Sequence, residues 1–224
     1  KISLAAQEGT LADNSGWLRT VDYCKSGNKP LHLMGLVSNG GVHSHTEHLY
    51  ALLRLARAAG IERVFVHAFT DGRDTDPKSG LGFLQDLLKV CSETGAQLAT
   101  VTGRYFAMDR DKRWERVSKA YRALVNGAGT PCTDFLQALN DSYAAGVTDE
   151  FLEPLVGVDD AGKPIGMIQE DDAVLVFNFR TDRGREITQM LSQQAFHEHN
   201  TAPLRLHFTT MTRYDASFRG VDVL

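Results

Sequence analysis

Four separate stretches of this chain repeat one local pattern, an apolar β-rich run that ends in a turn marked by Gly or Asp and carrying a polar side chain suited to an anion. They are Leu31 to Val37 leading into Ser38-Asn39-Gly40-Gly41-Val42-His43, Val64 to Phe69 into Asp71-Gly72-Arg73-Asp74, Gln97 to Thr102 into Gly103-Arg104, and Val174 to Phe179 into Arg180-Thr181-Asp182-Arg183. Helical periodicity follows each run, and strands alternating with helices build a mostly parallel sheet whose ligands collect at the carboxyl ends of the strands. One cleft is therefore expected to receive His43, Arg73, Asp74, Arg104, Arg180 and Arg183 together.

The rest of the sequence fits an α/β/α sandwich read as one continuous domain over residues 1–224. Trp17, Leu18, Val21 and Tyr23 predict a short amphipathic helix before the first strand. A second helix is expected to start at Ser44, with Glu47 completing a capping box, and to stop at Gly60. Leu81, Leu84, Leu88 and Cys91 predict a third. Trp114, Val117, Tyr121 and Leu124 predict a fourth, Phe135 to Tyr143 a fifth, and Ile187, Met190 and Leu191 a sixth. Leu155 to Ile168 reads as an edge β-hairpin turning at Asp159-Asp160-Ala161-Gly162, and a last strand is expected over Leu204 to Thr210. The fold class is a three-layer α/β/α sandwich around a mixed, mostly parallel sheet.

Composition narrows the partners. With 24 Lys and Arg against 28 Asp and Glu, the net charge of −4 argues against a nucleic-acid or membrane-surface binder, so anion recognition must come from local clusters. The segment Arg104–Arg122 is one. Its basic surplus divides into Arg104 and Arg110, which precede a helix and read as ligand-facing, and Lys112 to Arg122, which read as a solvated helix face. Three widely spaced cysteines, Cys24, Cys91 and Cys132, indicate neither a disulfide framework nor a zinc knuckle, and a reducing cytoplasm is the expected compartment. No apolar run suggests a signal peptide or a bilayer span, and the absence of Met at position 1 reads as the mark of an excised fragment.

Within the expected cleft, His43 sits beside a helix start where an anion is favoured, and Gly40-Gly41 admits close backbone approach. His43, His45 and His48 could alternatively form a metal cluster, although no carboxylate completes a ligand spacing. Arg73 carries a bidentate fork, and Asp74 beside it could orient that fork or exchange a proton with a substrate hydroxyl. Arg180 and Arg183 flank another helix start as a phosphate or carboxylate clamp. A small, doubly charged anion such as a phosphorylated acid fits this set. Three readings stay open on these residues: part of an enzyme acting on such an acid, a free-standing binding module for it, and a metal hydrolase built on the histidines.

As a set, Gly35-Leu36-Val37-Ser38-Asn39-Gly40-Gly41-Val42-His43-Ser44-His45, Asp71-Gly72-Arg73-Asp74-Thr75, Gly103-Arg104 through Trp114, and Phe177-Asn178-Phe179-Arg180-Thr181-Asp182-Arg183 resemble the cofactor-independent (2,3-bisphosphoglycerate-independent) phosphoglycerate mutases. The resemblance covers essentially the whole chain. It implies the inserted, substrate-binding domain of a two-domain glycolytic enzyme that interconverts 3-phosphoglycerate and 2-phosphoglycerate through a phosphoserine. It also implies that the serine and two manganese ions lie in a phosphatase-like domain outside this sequence, leaving no metal site or cofactor here. Carried over by motif, His43, Arg73, Asp74, Arg104, Arg110, Arg180 and Arg183 would line the substrate site, with Asp74 the catalytic proton carrier. A monomer, inactive without its partner domain, is expected.

Overall fold

The computed structural model describes residues 1–224. Eight strands form one sheet: β1 (Leu31–Leu36), β2 (Val64–Thr70), β3 (Gln97–Gly103), β4 (Thr130–Cys132), β5 (Leu155–Gly157), β6 (Ala173–Val176), β7 (His207–Thr210) and β8 (Val221–Val223). Their spatial order is β4-β5-β3-β2-β1-β6-β7-β8, and every neighbouring pair is parallel except β3 with β5. All six residues of β1 are buried. Such continuous apolar runs are what a parallel strand covered on both faces requires.

The covering helices are α1 (Ile2–Glu8), α2 (Ser15–Gly27), α3 (Thr46–Ala59), α4 (Gly80–Thr94), α5 (Arg104–Ala107), α6 (Trp114–Asn126), α7 (Phe135–Ala144) and α8 (Arg185–Ser192). Alternation along the strands sorts them into layers. Leu31, Leu33, Val66 and Leu175 pack with Trp17, Leu49, Leu84 and Leu139, whereas Met34, Leu36, Phe69 and Val176 face Phe106, Val117, Tyr121 and Met190. The second face also buries a polar line. His32 accepts at Nδ1 from His67 Nε2 (2.9 Å) and donates from Nε2 to Asp172 (2.8 Å), while Thr100 donates to His67 Nδ1 (2.9 Å). This assignment satisfies every ring nitrogen with both imidazoles neutral, and burial holds both below the usual histidine range.

Several expectations need correction. The Ser44 cap is replaced by His45, whose Nδ1 accepts from the Glu47 amide (3.2 Å), while Ser44 donates to the Leu36 carbonyl (2.5 Å) and ties the loop back to β1. The edge hairpin is absent as such. Its first arm is β5, sewn between β4 and β3, and its return arm makes one bridge, Val158 with Pro164, flanked by bonds from Asp159 N to Lys163 O (2.9 Å) and from Ile165 N to Gly157 O (2.8 Å), before Gly166 leaves the extended region at φ +66°. The turn itself forms, with Asp159 accepting from the amides of Ala161 and Lys163. The sheet edges are instead β4 and β8, too short to carry a readable alternation. The strand expected over Val174 to Phe179 stops at Val176, because the amides of Phe179 (2.8 Å) and Arg180 (3.3 Å) turn to the His43 carbonyl. The final strand starts at His207 rather than Leu204.

That diversion matters for the site. Sheet order reverses between β1 and β6, and the loops leaving their carboxyl ends are the ones stitched together through His43. At the end of β3, the chain crosses the 3-10 turn Asp149–Phe151 so closely that a Cβ on Gly103 would lie 2.5 Å from Glu150 O and Leu152 N. Gly103→Ala should therefore destabilise the fold by about 1–3 kcal/mol through backbone overpacking. Gly82, in α4, has open space around it, and Gly82→Ala should stabilise by roughly 0.5–1 kcal/mol. Urea melts of the two variants beside the parent test this opposite pair of signs.

Candidate substrate site

Four strand-end loops bring seven sequence-predicted residues into one neighbourhood, but in different roles. Asp71 directly follows β2, and its Oδ1 accepts from the amides of Arg73 (3.1 Å) and Asp74 (2.9 Å), closing the Asp-Gly-Arg-Asp turn. The same carboxylate accepts from Ser38 Oγ (2.7 Å) on the β1 loop and from Arg104 Nη1 (2.9 Å) at the end of β3. Burial opposes its ionisation, but the Asp74 amide, Ser38, the Arg73 amide and Arg104 together outweigh burial and hold the carboxyl below its ordinary range. By sequence Asp71 is a turn former. It is also the buried counter-charge of Arg104.

Arg104 is only 3% exposed. Beyond Asp71, its Nη1 donates to Asp74 Oδ2 (2.7 Å) and its Nη2 to His43 Nε2 (3.1 Å). Because Nε2 accepts, the neutral His43 ring carries its proton on Nδ1. Burial first, and the Arg104 guanidinium second, push this imidazole down to about 4. Its Nδ1 lacks a hydrogen-bond partner and faces Asp182 Oδ1 at 3.9 Å.

Asp182, on which no sequence motif confers a role, links the remaining clamp. Its carboxylate meets Arg180 Nε (3.1 Å) and Arg110 Nη1 (3.1 Å), joining the β6 loop to the β3 loop. Burial is more than offset by Arg110, Arg180 and His43, so this carboxyl also sits below its usual range. Arg183 donates to the Met108 carbonyl (3.0 Å), and Arg73 pairs with Glu150 (3.2 Å).

A polar cavity of about 360 Å³ opens among Arg73, Arg104, Arg110 and Arg183, with Tyr105, Phe151, Asp109, Asp111, Arg116 and Glu150 completing its wall. His43 and Asp74 reach it through Arg104, and Arg180 stands beside it through Asp182. Desolvation and the neighbouring Arg104 and Arg110 guanidiniums lower the Arg183 pKa, the signature of like charges held together. Arg116 was read as part of a solvated helix face. It instead lies over the Tyr105 ring at 3.8 Å and approaches Asp109 at 3.7 Å. A larger hollow of about 490 Å³ between α1 and α3 is mostly apolar and brings no cluster of chemistry-bearing groups together.

The histidines do not assemble a metal centre. His45 caps α3, His48 Nε2 is bonded to Ser3 Oγ (2.9 Å), and His43 is held by Arg104. No three His, Cys, Asp or Glu side chains converge as ligands anywhere in the chain, so these residues do not fit a manganese shell. Nor is any helix long and apolar enough to cross a membrane.

Comparison with known proteins converges on one family. Residues 2–216 match the family described as the BPG-independent PGAM N-terminus. The chain is 52% identical over its full length to the 2,3-bisphosphoglycerate-independent phosphoglycerate mutase of Flavobacterium psychrophilum, covering 44% of that protein. It is 50% identical, over 98% of its length, to the Myxococcus xanthus protein of the same name, covering 43% of it. The structure superimposes on Leishmania mexicana phosphoglycerate mutase, crystallised at low cobalt concentration, with a TM-score of 0.88 and 32% identity, covering 96% of this chain and 41% of the other. This chain thus spans less than half the length of these relatives.

The buried ion network makes two measurable statements. Arg104→Leu should cost about 3–5 kcal/mol of stability, because it strands the buried Asp71 carboxylate. By NMR, His43 should remain neutral down to about pH 4, whereas an unfolded histidine takes a proton near 6.5. The unfolded state therefore binds the extra proton in that window, and His43 contributes stability that is lost as pH falls from about 6.5 to 4.

Proposed function

The chain belongs to the 2,3-bisphosphoglycerate-independent phosphoglycerate mutase family, and from that membership we propose that residues 1–224 form the inserted domain that grips the substrate of such an enzyme. The observation that carries this reading is the convergence of Arg73, Arg104, Arg110 and Arg183 on one cavity at the carboxyl ends of the strands, with Arg180 beside it. A phosphorylated three-carbon acid offers a phosphate and a carboxylate, and planar guanidiniums bind both as bidentate partners. The reaction is the exchange of a phosphoryl group between the 3- and 2-hydroxyls of glycerate. Its glycolytic setting and its cytoplasmic location belong to the same proposal.

The division of labour follows from what these residues can do. Phosphoryl transfer depends on positioning and charge stabilisation, and a transferred group that leaves glycerate behind needs the glycerate held until the group returns. The arginines supply that grip. In this reading Asp74, whose Oδ2 accepts from Arg104 and lies 3.5 Å from His43 Nε2, takes and returns a hydroxyl proton. The phosphate-accepting serine and the two manganese ions are assigned to the phosphatase-like domain in the portion of the relatives that this chain does not span. No step here runs through them.

The test is the full-length protein in an enolase-coupled assay, where interconversion of the two phosphoglycerates is expected. In that protein Arg180→Lys should fold normally yet lose about ten- to a hundredfold in kcat/KM, since charge is kept but one charge-assisted bond of roughly 1.5–3 kcal/mol disappears. Arg113→Lys is the control. Arg113 is exposed at the start of α6 and should tolerate the change. Equal activity of the two variants would remove Arg180 from the clamp. The isolated chain should bind phosphoglycerate weakly, and more weakly as salt rises, because its arginines stay hydrated and screened. Calorimetry over a salt series checks this.

A further inference from the structure

The loop that presents Arg110 to the cavity is held by an unusual fastening. Three consecutive amides, those of Asp111, Lys112 and Arg113, all end on carboxylate oxygens. Asp109 Oδ2 accepts from Asp111 N (3.0 Å) and Arg113 N (2.9 Å), and Glu186 Oε2 accepts from Lys112 N (3.1 Å). Lys112 sits at φ +57°, a left-handed conformation that costs a residue with a side chain of this size and must be held from outside. Glu186 arrives from the first turn of α8, 74 residues later in the chain.

Both carboxyls are buried and accept from the same run of three consecutive amides, near enough for each to shift the ionisation of the other, and Glu186 Oε1 has no hydrogen-bond donor. Two ionised carboxylates cannot lie together in such a place at low cost, whereas one shared proton satisfies both. The charged groups facing the pair are Asp109 itself and Asp111 from the loop, and Arg116 of α6, which reaches Asp109 Oδ1 at 3.7 Å. Arg185 on Glu186's own helix turns away to Asp215.

We propose that Asp109 and Glu186 act as a proton-sharing pair that positions Arg110, fastening its loop in the left-handed turn while the pair holds one proton and loosening it when that proton leaves. Neither residue touches substrate in this assignment; both act through Arg110. The inference rests on the reading of Arg110 as an anion ligand. Burial and the Asp109 carboxyl push Glu186 up to about 7, so the fastening proton leaves across the neutral range. Below that pH the loop is held. Above it the two carboxylates repel, one swings out, and the Lys112 amide loses its acceptor.

The experiment uses the full-length protein, stripped of metal by chelator, and sulfate as probe, because sulfate stays a dianion throughout the range from about pH 6 to 8.5 in which the pair is expected to titrate. Calorimetry should show wild-type affinity falling on the order of tenfold across that range, the worth of about one charge-assisted bond from Arg110. Glu186→Gln, which keeps the shape and supplies a permanent donor to Asp109, should flatten the profile at the high-affinity level. Asp109→Asn, which supplies the donor from the other side, should flatten it too and guards against one variant failing to fold. Comparison with wild type cancels the titration of exposed histidines. Arg110→Gln separates the two layers of inference. If it leaves sulfate affinity unchanged, the anion-site reading of Arg110 falls and the proposal with it. If it weakens binding while wild type, Glu186→Gln and Asp109→Asn share one pH profile, only the proton-sharing pair is overturned.

Discussion

The loops at the carboxyl ends of this sheet's central strands are held together by the burial of one guanidinium. Arg104 directly follows β3, and its two terminal nitrogens are spent on Asp71 and Asp74 from the β2 loop and on His43 from the β1 loop. Removing such a cation from water costs several kcal/mol, and only partners fixed at hydrogen-bond distance repay it. Asp71, 1% exposed, is that partner, and it is itself fixed by Ser38 and by two amides of its own turn. Three loops from three adjacent strands thus cannot move independently. A fourth joins them through backbone, since the amides of Phe179 and Arg180 both end on the His43 carbonyl.

Against this frame the other arginines differ in kind. The side chains of Arg73, Arg110 and Arg180 are 58%, 45% and 46% exposed, and each makes a single ion pair at 3.1 to 3.2 Å. Pairs of this sort, open to water, are worth about 0–1 kcal/mol and exchange readily. An incoming anion can therefore replace Glu150 or Asp182 as partner with little loss. The buried arginine holds the shape while still lining the cavity, and the exposed ones can exchange partners most readily. Their mutual repulsion is tempered by interleaved acids, so a protein with a net charge of −4 can still concentrate positive charge in one cavity.

The inner walls show the same economy of polar groups. On the buried face of β1 to β3, His32, His67, Thr100 and Asp172 form a fully partnered line in which each donor meets one acceptor, so burial forces no charge onto either ring. In the loop behind Arg110, by contrast, acceptors outnumber donors, and a proton shared by Asp109 and Glu186 makes up the difference. The first arrangement is insensitive to pH near neutrality and suits a structural core. The second is poised to respond.

Much of this was legible in the residues alone. Continuous apolar runs bounded by Gly and Asp turns gave β1, β2, β3 and the start of β6, and helical spacing gave the principal helices, because both signals are local and repeat every two or every three to four residues. The strand-end turns and the basic stretch after Arg104 also marked His43, Arg73, Asp74, Arg104, Arg110, Arg180 and Arg183 as candidates that the fold gathers in one neighbourhood, and the wording of their motifs pointed to the family. Tertiary structure decided the rest. Strands of three residues such as β4 and β8 carry too little pattern to read, and the antiparallel pairing of β5 depends on neighbours distant in the chain. So does the role of each charged group: Asp71 looks like a turn former and Arg116 like solvated surface, and no local pattern singles out Asp182 or Glu186. Sequence fixes the charge a side chain can carry, but desolvation and partners, which only folding assigns, decide what that charge does.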